Sequence, residues 1–235
     1  MSLRFQKQDP DRASGWRRLF QVIARRFPQL FLAGIGPAAA AVPGIVGFFA
    51  FSDTVPLLAI LVGALSGGLA GPFYGGMYHL IYLALKSEPG YFGVRYRAFL
   101  SRRWKSFLLP GAGTGGLVTV MLLAWWQMLA YGGGVLLLFG VVLADMLLLA
   151  AAVTVSFHLR GTGEQRAGLR AVIRYIVGHL GPVCRAAAQQ GVYWLCACLL
   201  LPYSLLVLPG PGIWFPALLG AFTLYEASPD GEKKR

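Results

Sequence analysis

The chain has 235 residues, 57% of them apolar and 13% charged, about half the roughly 25% charged residues usual in soluble domains. That composition excludes a water-soluble globule and makes the bilayer the solvent. The formal charge of +12 does not point to nucleic acid, because the basic residues lie in blocks between apolar runs instead of on one soluble face, an arrangement suited to anionic headgroups.

A hydrocarbon core about 30 Å thick takes about 20 residues of helix. Five runs satisfy it: 29–51, 55–85, 106–130, 134–158 and 184–208. A sixth, 213–225, has only 13 residues and reads as a thin span or a re-entrant segment. The expected fold is therefore all-α, an integral membrane bundle of about six helices. Ahead of it stands a basic amphipathic segment, 1–28, and behind it a polar tail, 226–235.

In segment 1–28, Trp16, Leu19, Phe20, Ile23 and Phe27 follow helical spacing while Arg17, Arg18, Gln21 and Arg25 take the other faces, which predicts an interfacial helix. The long basic stretch before a span-length run predicts that the first span is retained instead of cleaved. In the second run, Gly63, Gly67, Gly71 and Gly75 recur every four residues and form a stripe without side chains. Such a stripe lets helix backbones approach in lipid, and it is expected to be the central contact face of the bundle.

The next connection is rich in both aromatic and basic residues, with Phe92, Tyr96, Phe99 and Phe107 on an approximate common side. In the third run Gly111, Gly113 and Gly116 match GxGxxG, but they follow no strand, so a dinucleotide turn is rejected in favour of a close-packing or bent entry. Trp125, Trp126 and Tyr131, with Trp214 and Phe215 of the last segment, fit an outer aromatic belt. Between the fourth and fifth runs, Leu169, Val172, Ile173 and Ile176 oppose Arg166, Arg170 and Arg174, the pattern of a helix lying on the membrane surface. Arg25-Arg26-Phe27 and Arg102-Arg103-Trp104 stand in corresponding places before their runs and hint at a repeat near 77 residues.

Lysine and arginine number seven before residue 29, six over 86–105, five over 160–185 and three over 233–235, which accounts for all 21. The alternate connections 52–54, 131–133 and 209–212 hold none. The positive-inside rule then predicts six crossings with both termini cytoplasmic. Arg17, Arg18, Arg95, Arg97, Arg102, Arg103, Arg166, Arg170 and Arg174 are expected to meet lipid headgroups or a cytoplasmic partner.

Asp145 is the one acid deep inside an apolar run. Intramembrane acids face the bundle interior and mark polar paths by default, so Asp145, with Ser66, Gln189 and Gln190 as polar neighbours, is the candidate intramembrane site. A hydrogen-bonded structural acid is the other reading. Ser66 has no histidine at its depth to activate it, and Asp145 has no partner acid, which argues against serine and aspartate hydrolases. His79, His158 and His179 lie toward helix ends without metal-ligand spacing, so neither a metal nor a cofactor is expected. Cys184, Cys196 and Cys198 form no disulfide framework, and the last two are expected to be buried packing residues.

The stretch Gly71-Pro72-Phe73-Tyr74-Gly75-Gly76-Met77-Tyr78, with Leu85-Lys86, Tyr91-Phe92, Phe99 and Trp104-Lys105, resembles the bacterial YesL-like membrane proteins. Pro209-Gly210, Phe215 and Tyr225 are similar to that family's final hairpin. The resemblance implies a non-enzymatic multi-pass protein of the bacterial inner membrane, an accessory to carbohydrate uptake or its sensing, with a sugar importer or sensor as partner. It carries over no catalytic residue. The alternative function is a small-solute or ion transporter or channel with Asp145 in its path.

Overall fold

The computed structural model describes residues 15–86, 91–132, 134–162, 168–200 and 212–227. These form seven helices: α1 (Trp16–Phe51), α2 (Pro56–Leu85), α3 (Phe92–Ala130), α4 (Val135–Thr162), α5 (Leu169–Gly178), α6 (Leu180–Leu199) and α7 (Ile213–Glu226). Among the described residues, four helices are long and apolar enough to cross a membrane: α1, α2, α3 and the stretch Leu137–Arg160 of α4. The chain is a helical membrane protein.

The first two basic segments are not separate helices. α1 has 36 residues and α3 has 39, so at a rise of about 1.5 Å each exceeds a hydrocarbon core of about 30 Å. Each carries its basic segment as a continuous extension beyond the apolar run. Pro28 does not end α1, in keeping with the tolerance of membrane helices for proline. The third basic segment does form its own helix, α5, broken from α6 at His179, where φ is −129° and ψ 41°. A basic segment continuous with its apolar run is therefore shared by α1 and α3 and not by α5 and α6.

α2 is the middle of a three-helix layer, antiparallel to α1 on one side and to α3 on the other. Its glycine stripe faces α3. A Cβ on Gly67 would stand 2.7 Å from the Gly115 Cα, and one on Gly71 would stand 2.9 Å from the Gly111 Cα. The reciprocal positions on Gly111 and Gly115 meet the Cα atoms of Gly71 and Gly67 at 2.7 Å. Gly63 meets Thr119 and Gly75 meets the Phe107 ring, so the contact covers the whole stripe. The partner is thus a second small-residue pair at four-residue spacing, Gly111 and Gly115, whereas Gly113 faces open space. On its other side α2 seats Phe73, Ser66 and Val62 against Gly36, Gly44 and Gly47 of α1. Gly132, at φ +70°, follows the end of α3 and turns the chain toward α4 as a left-handed C-terminal glycine does.

At the basic end, Arg18 is buried instead of facing headgroups. Its guanidinium donates to the Leu85 carbonyl at the C-terminus of α2 and lies 5.0 Å from the Tyr225 ring centroid. A cation is favourable there because the last carbonyls of a helix lack intrahelical donors and carry the negative end of its dipole. The inward turn of Arg18 shifts the buried face of the segment: Leu19 is buried and Ile23 packs against the core as expected, while Val22 is buried and Phe20 exposed.

α7 is the most enclosed element. Apart from Ile213 and Phe215, which are half-buried, the residues from Trp214 to Tyr225 are buried, as expected for a helix apolar all round. Its 14 residues rise about 21 Å, short of a full crossing. It runs antiparallel to the basic half of α1, with Trp214 edge-on to Phe27 at 5.7 Å, Trp16 6.3 Å from Phe222, and the Gly15 N–H donating to Glu226 Oε1 at 3.2 Å. Trp214, 1% exposed, is therefore a core residue near the basic end and not part of an outer belt. Trp126 does sit at the opposite end, donating to Asp53 Oδ1 at 2.9 Å.

α5 buries Val172, with Ala171, Tyr175 and Ile176 packed around it, while Leu169 and Ile173 face outward. Tyr175 stacks on His179 at 4.4 Å and lies 5.6 Å from His158 of α4. Burial, and next the neighbouring Tyr82, hold the Tyr175 hydroxyl above the ordinary tyrosine range. Cys196 is exposed on α6, contrary to the expectation of burial. The side chain of Cys198 and the tail beyond Ala227 lie outside the described residues.

Candidate functional site

The α1–α2–α3 layer and the α4–α6–α7 group meet closely around an aromatic cluster: Phe157 of α4 packs on Tyr74 at 4.8 Å and on Phe107 at 5.5 Å. Farther from the basic end the two groups part. Between them lies a cavity of about 660 Å³ lined by α1, α2, α3, α4 and α6, with Ile213 of α7 at its edge. Its wall includes Phe48, Ala70, Val118, Leu122, Met146, Ala150 and Val153. That volume lies in the range of ligand sites, about 300–1,000 Å³.

Four polar side chains of this wall are hydrogen-bonded within the protein. Ser66 Oγ donates to the Ala40 carbonyl at 2.8 Å, Thr114 Oγ1 to the Pro110 carbonyl at 2.8 Å and Thr119 Oγ1 to the Gly115 carbonyl at 2.9 Å. Gln190 is buried and donates through Nε2 to Thr154 Oγ1 at 2.6 Å. The lumen is left essentially apolar.

The four polar residues singled out from the sequence do not converge. Ser66 and Gln190 both line the cavity but from different helices, each with its own partner. Asp145 accepts a hydrogen bond from Trp125 Nε1 at 3.0 Å, so its connection to the cavity runs through an indole. Gln189 turns to α7, accepting from Thr223 Oγ1 at 2.7 Å. Asp145 thus joins α3 to α4, and the glutamines join α6 to α4 and α7.

The arginines divide as well. Arg17, Arg97, Arg102, Arg170 and Arg174 are exposed, Arg95 and Arg103 are half-buried, and Arg166 lies outside the described residues. A small notch at the basic end brings Arg95 together with Arg26 and Gln29, a grouping that separation along the chain conceals. The Gly111–Gly115 pair was legible as a four-residue repeat, whereas Thr154 had no signal beyond its hydroxyl.

No group of three or more His, Cys, Asp or Glu side chains among the described residues is placed to hold a metal ion. Comparison with protein-family models, curated proteins and solved structures yields no match. The likeness to the YesL-like proteins rests on its motif alone.

Proposed function

We propose that this is a non-enzymatic multi-pass protein of the bacterial inner membrane that accommodates an apolar chain, such as the acyl portion of a lipid or lipid-linked molecule, in its central cavity. The observation that carries this reading is the apolar lining of the 660 Å³ space, in which Ser66, Thr114, Thr119 and Gln190 are hydrogen-bonded within the protein. A cavity lined this way stays dry and suits hydrocarbon. The basic ends of α1 and α3 gather with α5 on the cytoplasmic face. The Gly15 to Glu226 hydrogen bond supports placing the two ends of the chain on one side. On this reading α6 leads away from that face and α7 packs beside the basic half of α1.

An accessory role in carbohydrate uptake or sensing, beside an importer or sensor, is supported by the resemblance of residues 71–105. Native mass spectrometry of the protein in mild detergent tests both parts. A lipid-class adduct that disappears when Ala150→Phe fills the cavity is expected, together with a co-purifying membrane protein. An adduct undiminished by Ala150→Phe would refute the cavity assignment.

The second reading, a solute or ion path through Asp145, draws support from the Trp125 hydrogen bond, which connects the carboxylate to the cavity wall. The apolar lining opposes it. Asp145→Asn should change the pH dependence of flux in reconstituted vesicles if that reading holds.

A further inference from the structure

Among the described residues, the wall of the central cavity holds no lysine or arginine. All 21 of those residues fall before residue 29 or in 86–105, 160–185 and 233–235, whereas the wall uses α1 from Pro37 to Phe49 and α3 from Gly111 to Trp125, beyond their basic extensions. Directly behind the wall stands a carboxylate. Asp145, half-buried on α4, accepts from the indole N–H of Trp125, and Trp125 itself lines the cavity.

We propose that the cavity's ligand is an amphiphilic cation: a hydrocarbon body bearing a protonated or quaternary amine, its charge placed beside Trp125 and Asp145. This ligand class rests on the cavity's accommodating hydrocarbon, as proposed above, and adds the sign of the head. A carboxylate offers more acceptor positions than one indole N–H fills. Its charge acts through apolar surroundings that screen it far less than water does. A phosphate or sulfate head would meet that field with no lysine or arginine in the wall to offset it, while an ammonium head is drawn toward it. Aromatic rings add to the fit. Phe48, Tyr74, Trp125, Phe157 and Trp194 belong to the wall, and aromatic faces, tryptophan above all, attract ammonium groups where water is excluded. The hydrogen bond to Asp145 also holds the Trp125 ring in place, which lowers the entropic cost of binding against it. At long range the chain's net charge of +12 repels cations, so a preference for one is a property of this site and not of the molecule as a whole.

The test uses three probes with the same tail and different heads: hexadecyltrimethylammonium, hexadecanol and hexadecyl sulfate. Each is titrated as a mole fraction of dodecyl maltoside micelles against the full chain, with bound probe read by native mass spectrometry. Only the binding removed by Ala150→Phe is counted, which sets aside sulfate held on the basic face. The cation should half-saturate at a mole fraction about tenfold below that of the alcohol, the preference given by a charge pair about 10 Å apart at an effective dielectric constant of about 20, and the sulfate should bind more weakly than either. Asp145→Asn, which keeps an acceptor for Trp125, should bring the cation and the alcohol within about twofold of each other. Asp53→Asn, the same charge change at an exposed carboxylate bonded to Trp126, should leave the preference in place. If Asp145→Asn does not fold, the order of the three heads on the wild-type chain decides. Equal binding of all three heads, or a cation preference that survives Asp145→Asn, would overturn the cationic ligand while leaving the hydrocarbon cavity standing. Binding of every probe unchanged by Ala150→Phe would remove the cavity reading and the cationic ligand with it.

Discussion

Gly67→Leu is the sharpest perturbation of this architecture. The first added carbon meets backbone, not side chain: the Gly111 carbonyl, the Gly115 nitrogen at 2.8 Å and the Gly115 Cα at 2.7 Å. Backbone cannot rotate away, so α2 and α3 must separate along the stripe. Separation removes carbonyl contacts at four glycines, Gly67 with Gly111, Gly111 with Gly67, Gly71 with Phe107 and Gly115 with Gly63. At roughly 0.5–1 kcal/mol for each Cα–H···O contact, their loss costs about 2–4 kcal/mol. Overpacking adds about 1–3 kcal/mol. The measurement is the unfolding free energy in mixed micelles, with Gly113→Leu as control, because a side chain at Gly113 enters open space. The control should hold wild-type stability within about 0.5 kcal/mol or gain slightly from the higher helix propensity of leucine. An unchanged Gly67→Leu, or an equal loss at Gly113, would refute the claim that the facing glycines hold the layer together.

Arg18→Ala should cost about 1–3 kcal/mol in the same assay by stranding the Leu85 carbonyl, whereas Arg17→Ala, exposed one residue earlier, should move it by less than about 0.5 kcal/mol. Trp125→Phe should lower stability by about 1 kcal/mol through loss of the bond to Asp145, and Asp145→Asn, which keeps an acceptor, by less. A larger loss in the asparagine variant would mean that its charge, not its hydrogen bond, stabilises the helix pair. Cys184, exposed near the start of α6, should react with a membrane-impermeant maleimide only from the cytoplasmic face under the proposed topology, and labelling from the outside would reverse that proposal.

Much of the architecture follows from local pattern. The bilayer as solvent, the helical class, the long runs of α1 to α4 and the glycine stripe are properties of residue type and 3.6-residue spacing, and no neighbour is needed to read them. The candidate site was less legible. Ser66 and Gln190 line the cavity, but their partners Ala40 and Thr154 lie 26 and 36 residues away, beyond the reach of any periodicity.

Tertiary structure alone decided that α7 is enclosed, that Arg18 turns inward to close α2, that Trp214 leaves the interface for the core, and that two helix groups part to leave a cavity. The reason is that lipid and protein interior are equally apolar. A leucine on a membrane helix is as compatible with an acyl chain as with another helix, so hydropathy gives depth but not neighbour. Only the meeting of shapes, with glycine against glycine and aromatic ring against aromatic ring, determines which apolar faces are covered by protein and which are left to lipid.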